Sequence, residues 1–410
     1  MNKFSIYTLG CKVNQAESDW IASELSGRGF EQVGFEGDPD FCIINTCTVT
    51  KKSDKKSRQV IRKANKKNCK VIVTGCFVVF NHDFLAAEDV DWVPNTEKKK
   101  IPKIIEEVGS CSQAEGTYRS HTRPLVKIQD GCEQFCSYCI VPLVRGKYRS
   151  TPARAIVEKI KSIDENGYGE AVLTGIHIGK YGAETGKSNG LANLLEDILK
   201  QTGIKRIRLS SIEINEISRE LVDIVKGSRR VAPHLHIPLQ SGSDRILKLM
   251  ERPYSSGQYV EKIREVQEGM ALTTDVMVGF PGETGADFEQ TLGIAEEIEF
   301  SKLHVFQYSP RKQTRAYGME GQVPAAVKKA RSKKLISAGK KLRERFLQSN
   351  IGKILDVVRE TRHGDTGWGT SGNYIKVFFP VEKNWKEGKI IKVRINSMYK
   401  NGLWGKMYNS

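Results

Sequence analysis

Apolar residues along this chain come in short blocks separated by stretches of helical period, and the character of the blocks changes twice. Positions 4–9, 41–45 and 71–74 are apolar-rich runs of strand length, while 14–28 and 53–67 carry helical spacing between them. Short apolar-rich runs alternating with helices mark buried strands, so residues 1–115 predict an open, mostly parallel α/β sheet. From Pro124 a longer alternation predicts strands at 125–129, 170–174, 206–210, 234–238, 274–278 and 302–306. Six strands with helices between them predict a full or partial (β/α) barrel over 116–345, its active residues beyond the carboxyl ends of the strands. Residues 328–345 read as a basic linker helix. After Ile351 short alternating strands with glycine-rich turns, at 353–358, 374–379, 389–395 and 402–407, predict a small OB-like β-barrel over 346–410.

A chain of 410 residues exceeds one ordinary core, in keeping with these three units. No apolar run approaches the roughly 18 residues of a membrane span. The amino terminus enters a strand pattern with no signal-peptide core, so a reducing cytoplasm is the expected compartment. Nine cysteines there point to metal or catalytic use over disulfides. The net charge of +17 favours a polyanionic partner, nucleic acid first. Two runs concentrate that charge: 51–70 holds ten Lys or Arg against one Asp, and 328–345 holds nine against one Glu. In the last unit Trp368, Tyr374, Phe378 and Trp404 lie among Lys376, Lys392, Arg394 and Lys406, residue types that stack bases and meet phosphates.

Six cysteines form two triads. Cys132, Cys136 and Cys139 follow the first barrel strand in a Cys-x3-Cys-x2-Cys cluster, too compact for a structural zinc site. Three thiolates fit a four-iron cluster with one iron left open. Cys11, Cys47 and Cys76 each end a predicted strand of the first sheet, and ligands of such sheets bind beyond the carboxyl ends, so the three are expected to converge. Cys42, Cys69 and Cys111 have no assigned metal role; Cys42 reads as core.

The Cys132–Cys139 spacing at the end of a first barrel strand, with Tyr138 before the third cysteine, resembles the radical S-adenosylmethionine superfamily. The three-cysteine first unit and the small last barrel, similar to a TRAM domain, narrow the resemblance to the methylthiotransferases. That resemblance implies two [4Fe–4S] clusters. One, on Cys132, Cys136 and Cys139, would bind S-adenosylmethionine and release a 5′-deoxyadenosyl radical. The other, on Cys11, Cys47 and Cys76, would hold a sulfur ligand. Cofactor candidates are Tyr138, Thr174, Gly175, Ser211, Glu213, His236, Gln240, Ser241 and Val278. Thr174-Gly175 lacks the glutamate of the superfamily's Gly-Gly-Glu segment. Arg145 and Arg149, close after the cluster, would grip the anticodon stem-loop of a tRNA, and Lys376, Lys392 and Arg394 its phosphates.

The segments Gly10–Ser18, Leu173–His177 and Arg208–Glu213 resemble the branch acting on N6-threonylcarbamoyladenosine in tRNA. The isopentenyladenosine branch has Gln-Met-Asn after the first cysteine, and the ribosomal-protein branch Pro-Lys-Asn. The implied reaction is methylthiolation of carbon 2 of that nucleoside at position 37. The alternatives are N6-isopentenyladenosine or a ribosomal protein side chain. The resemblance also implies an electron donor such as flavodoxin or ferredoxin and a monomeric enzyme. A reading from another class is an iron–sulfur RNA-binding or electron-transfer protein without catalysis.

Overall fold

The first sheet contains β1 (Lys3–Thr8), β2 (Glu31–Gln32), β3 (Phe41–Thr46), β4 (Lys70–Gly75) and β5 (Asp91–Val93), in the order β2-β1-β3-β4-β5 and parallel throughout. Every residue of β3 is buried, the physical counterpart of its apolar run Phe41–Ile44. The helices Lys12–Gly27 and Lys51–Asn65 cover the two faces, each starting two residues ahead of the sequence expectation. In this strand order the winding reverses between β1 and β3, which opens a crevice at their carboxyl ends. The computed structural model describes residues 2–109, 121–186, 189–382 and 385–408; Cys111 and the expected boundary at 115/116 lie outside these.

The six expected barrel strands are present: β6 (Leu125–Asp130), then, after the short antiparallel β7 (Arg149–Ser150), β8 (Glu170–Gly175), β9 (Arg206–Leu209), β10 (His234–His236), β11 (Ala271–Val278) and β12 (Lys302–Gln307). β6, β8 and β9 run parallel, as do β10, β11 and β12. Parallel bridges at Ile207–Val231 and Ser211–His236 join the two sets. Among the described residues β12 does not pair with β6, so the barrel is open. His234 and His236 share the barrel interior, where both imidazoles meet Thr273 Oγ1, at 3.0 and 2.9 Å.

The linker helix, Ala325–Gln348, outruns its predicted span at both ends. Its Gly339 lies against Leu303 of β12. Beyond it β13 (Ile354–His363), β14 (Thr366–Ser371), β15 (Lys376–Pro380), β16 (Ile390–Tyr399) and β17 (Gly402–Met407) close into a five-stranded barrel. β14 is the strand of this barrel that the sequence pattern missed, as it missed the short β2, β5 and β7 elsewhere. Gly367 and Gly369 read as turn residues, yet a Cβ on Gly369 would sit 1.9 Å from Val358 O, so the close approach of strands requires glycine there. No helix among the described residues is long and apolar enough to cross a membrane.

Two buried carboxylates hold these units together. Glu17, on the helix after β1, meets Lys98, Lys127 and Arg145. Glu170, opening β8, meets Arg123, Arg206 and Arg208, and the last two also donate to the carbonyl oxygens of Asp356, Thr370, Ser371 and Gly372. The C-terminal barrel therefore docks at the amino ends of the central strands. Tyr374, in a left-handed conformation (φ 63°), stacks on His234 there at 4.6 Å between ring centroids.

Candidate iron–sulfur and cofactor site

Parallel register brings the first triad together. Thr46 of β3 is paired with Gly75 of β4, so Cys47 and Cys76 leave adjacent strands side by side. Cys11 follows β1 on the other side of β3, at the winding reversal. Gly10 makes this possible: its φ is +106°, and a Cβ on it would lie 2.9 Å from Cys47 Cβ and 3.2 Å from its sulfur. Asn14 ties the strand ends, donating to Leu9 O at 2.7 Å and Thr46 O at 2.9 Å. Asn95 Nδ2 reaches Cys76 Sγ at 3.6 Å. Burial raises the Cys47 thiol, and the neighbouring Cys76 and Cys11 add to that.

The second triad follows β6. Gly131 turns the chain with φ +78°, and a Cβ there would collide with Lys147 O at 1.8 Å. Cys132 N donates to Gly146 O at 2.9 Å, which closes the loop. The barrel braces it from the far side: Ser137 N donates to Met250 O at 3.1 Å, Ser137 Oγ to Leu249 O at 2.7 Å, and Ala316 N to Ser137 O at 2.8 Å. Tyr138 is edge-on to Phe280, with 6.4 Å between ring centroids. Burial pushes the Cys132 thiol up to about 11 and the Cys139 thiol up to about 12. Thiols so disposed stay protonated until a metal displaces the proton.

Residues outside the sequence candidates complete this site. Arg252 Nη1 donates to Cys136 Sγ at 3.4 Å, its Nη2 pairs with Glu213, and its Nε donates to Tyr254 OH at 3.1 Å. His177 Nδ1 lies 3.4 Å from Cys132 Sγ, its backbone N–H donates to Gln129 Oε1, and its Nε2 is 2.7 Å from Glu216. His177 stood in a segment already singled out; Arg252 had no signal, being an arginine after a helix like many others.

The cofactor candidates divide. Thr174, Gly175, Ser211, Glu213 and Val278 all lie at or just beyond the carboxyl ends of β8, β9 and β11. His236 meets Thr273 and, at 3.2 Å, Asp275 inside the barrel. Gln240 takes a positive φ of 62° and bridges to Val276. Ser241 turns elsewhere: its hydroxyl accepts from Ser243 N and contacts Thr291 on the helix Gly285–Ile298, so it braces that helix. Arg145 is a correction. It is 2 % exposed, with its guanidinium on Glu17, Asp130 and Asn14 in the seam between sheet and barrel, out of reach of a nucleic acid. Arg149 stays exposed, near Asp130. Tyr374, offered as a base-stacking residue, is instead held in the lower seam with Lys12, Arg123 and Arg208 over its ring. Lys376, Lys392 and Arg394 belong to the C-terminal barrel, at the opposite end of the central strands from Cys132.

The donor set suits iron–sulfur clusters. All eight described cysteines are free. Among the described residues no group of three or more His, Cys, Asp or Glu converges on a single-ion site. A cubane, whose ligands attach to separate iron corners, takes sulfurs spaced more widely than one ion does. Ser210 Oγ, at the end of β9 beside Ser211 and Glu213, is buried with no hydrogen-bond partner, an open polar position where a ribose or amino-acid group would bind. Segment Val141–Arg145 lies between the triads: Cys139 precedes it, and Ile140 and Val144 pack on Cys76.

Residues 126–295 match the radical SAM superfamily, and residues 3–93 match an uncharacterized protein family, UPF0004. The chain is 36 % identical over 415 residues to the threonylcarbamoyladenosine tRNA methylthiotransferase MtaB of Chlamydia pneumoniae, covering 98 % of each chain. To the enzyme of the same name from Bacillus subtilis (strain 168) it is 37 % identical over 425 residues, covering 96 % of this chain and 94 % of the other. To the tRNA-2-methylthio-N(6)-dimethylallyladenosine synthase of Moorella thermoacetica it is 32 % identical, covering 96 % and 95 %. In fold it is similar to the radical S-adenosylmethionine methyltransferase TsrM from Kitasatospora setae, with a TM-score of 0.58 at 14 % identity over 77 % of this chain and 74 % of that one. Identity of this extent, on a chain with both thiol triads in place, makes it a member of the radical S-adenosylmethionine methylthiotransferase family, whose cofactors are S-adenosylmethionine and [4Fe–4S] clusters.

Proposed function

We propose that this enzyme replaces the hydrogen on carbon 2 of N6-threonylcarbamoyladenosine, at position 37 of tRNA, with a methylthio group. The observation that carries this reading is the pair of thiol triads flanking one short segment, with Ile140 and Val144 against Cys76. An aromatic C–H bond resists acid–base attack. S-adenosylmethionine held at the cluster of Cys132, Cys136 and Cys139 would supply the radical that takes the hydrogen, a second molecule of it would supply the methyl group, and the cluster of Cys11, Cys47 and Cys76 would supply the sulfur. The electron comes from an external donor such as flavodoxin or ferredoxin.

The chain's own residues hold and present the parts. Arg252 ties Cys136 to Glu213, which fixes the cofactor side of the loop. Val49 after Cys47, Phe135 between Cys132 and Cys136, and Leu143 after Cys139 are exposed apolar side chains, Phe135 at 58 % exposure, and they offer surfaces to a base turned out of its loop. Lys51, Lys52, Lys55 and Lys56 follow Cys47 on the opening turns of the helix Lys51–Asn65. None has an ion-pair partner among the described residues. Cations at a helix amino end oppose its dipole, by about 0.3–1 kcal/mol each, so the placement serves an anionic partner better than it serves the fold. The closed C-terminal barrel, similar to a TRAM domain, adds Lys376 at 3.9 Å over the Trp368 ring and Arg394 at 5.0 Å over Tyr408. The choice of nucleoside is supported by the relatives: those named for threonylcarbamoyladenosine are 35–38 % identical, against 31–32 % for those named for dimethylallyladenosine.

Reconstituted enzyme, incubated with S-adenosylmethionine, reductant and tRNA carrying each nucleoside separately, is assayed by mass spectrometry of the digested RNA. The expected product is the 2-methylthio derivative of the threonylcarbamoyl nucleoside. Product only on N6-isopentenyladenosine, or only on a ribosomal protein, overturns the substrate assignment.

A further inference from the structure

Between the central barrel and the C-terminal barrel lies a cavity of about 280 Å³. One wall carries Lys205, Arg206 and Arg229 from the start and flank of β9, and the other carries Asp356 of β13 and Lys392 of β16. Arg206 is already engaged, with Glu170 and with the carbonyl oxygens of Asp356 and Thr370. Lys205, Arg229 and Lys392 are different. All three are exposed, and among the described residues none has an ion pair or side-chain hydrogen bond. Asp356 is the only carboxylate on the described lining, and it lies beyond ion-pair reach of all three.

The contrast within one seam is informative. Its interior cations, Arg123, Arg206 and Arg208, all share Glu170. At its mouth three cations converge with no such partner, on a cleft open to solvent. Like charges facing one cleft repel, and a multivalent anion relieves the repulsion and gains from all three at once.

We propose that this seam is a composite phosphate-binding cleft for the backbone of the substrate RNA, formed jointly by Lys205 and Arg229 of the central barrel and Lys392 of the C-terminal barrel. The cleft lies at the amino ends of the central strands, away from Cys132, so it grips RNA at a distance from the modified base. Contacts of this kind carry affinity and position without reading sequence. The inference rests on the tRNA reading above.

The test is the triple variant Lys205→Ala, Arg229→Ala, Lys392→Ala. All three side chains are exposed, so the fold is expected to persist. Binding of a tRNA transcript is measured by fluorescence anisotropy over a range of salt concentrations. Each lost phosphate contact removes about 0.7–0.9 from the slope of log affinity against log salt, so the slope should fall by roughly two to three. KM for tRNA should rise at unchanged kcat, because chemistry at the cysteines is untouched. Lys205→Arg with Lys392→Arg, which keeps the charge, should keep the parent slope. A triple variant with parent affinity and parent slope overturns the cleft while the tRNA reading stands. A parent protein that binds no tRNA overturns both.

Discussion

Cys132, Cys136 and Cys139 lie within eight residues on one loop, whereas Cys11 and Cys76 are 65 positions apart and meet Cys47 only because three strands lie in register. The local triad is shaped by its own backbone, by Gly131 and by the barrel contacts of Ser137. The distributed triad is shaped by a sheet, and its closest approach depends on Gly10. The difference teaches where each is vulnerable. The first belongs to the barrel and its cofactor candidates; the second belongs to another unit and must be held against the barrel by the Glu17–Arg145 seam.

The largest effects should come from removing one cysteine of each. Cys136→Ala should abolish release of 5′-deoxyadenosine while the spectroscopic signature of the other cluster persists. Cys47→Ala should do the reverse, leaving cofactor cleavage and eliminating methylthiolated RNA. Equal loss of both activities in both variants would break the division of labour.

Next comes the seam between the triads. Burial raises the Glu17 carboxyl, but Lys98, Arg145 and Lys127 outweigh it and hold the group well below the ordinary carboxylate range. Arg145→Ala leaves that charge short of a partner, at an expected cost of about 3–5 kcal/mol in chemical denaturation. Methylthiolation should fall further than cofactor cleavage, since the local triad keeps its loop. An Arg145→Ala protein of parental stability would show that the seam does not hold the distributed triad.

The smallest effect sharpens the comparison from the far end. Burial raises Glu170, and Arg208, Arg206 and Arg123 outweigh it, so its folded pKa lies below the unfolded value of about 4.3. Its contribution is complete above that value and is lost as pH falls through the folded pKa. Glu170→Gln should therefore be less stable than the parent at neutral pH, with a shallower fall in stability below about pH 4. Parallel acid profiles would show that Glu170 is not the acid-sensitive group at this seam.

Much of this molecule was legible from its residues. The nine expected strands of the sheet and central barrel all formed, because short apolar-rich blocks of strand length recur between stretches that keep a helical period. β14 was not legible, because Gly369 is there for close backbone approach and Gly367 makes room for the Trp385 ring, and a propensity pattern reads both as a turn. Arg145 and Tyr374 were misplaced for a related reason. A basic or aromatic residue near a functional motif has the same letter whether it faces RNA or a buried carboxylate, and only its neighbours distinguish the two.

By itself the sequence determined the two triads, the loop of one and the strand ends of the other, since ligand spacing and apolar runs are local properties of the chain. Tertiary structure alone decided that the triads flank one segment, that Arg252 and His177 touch the cysteines, and that two carboxylates each gather three cations at a seam. Those relations join residues tens to hundreds of positions apart, and they follow from the packing of units whose mutual arrangement no local pattern encodes.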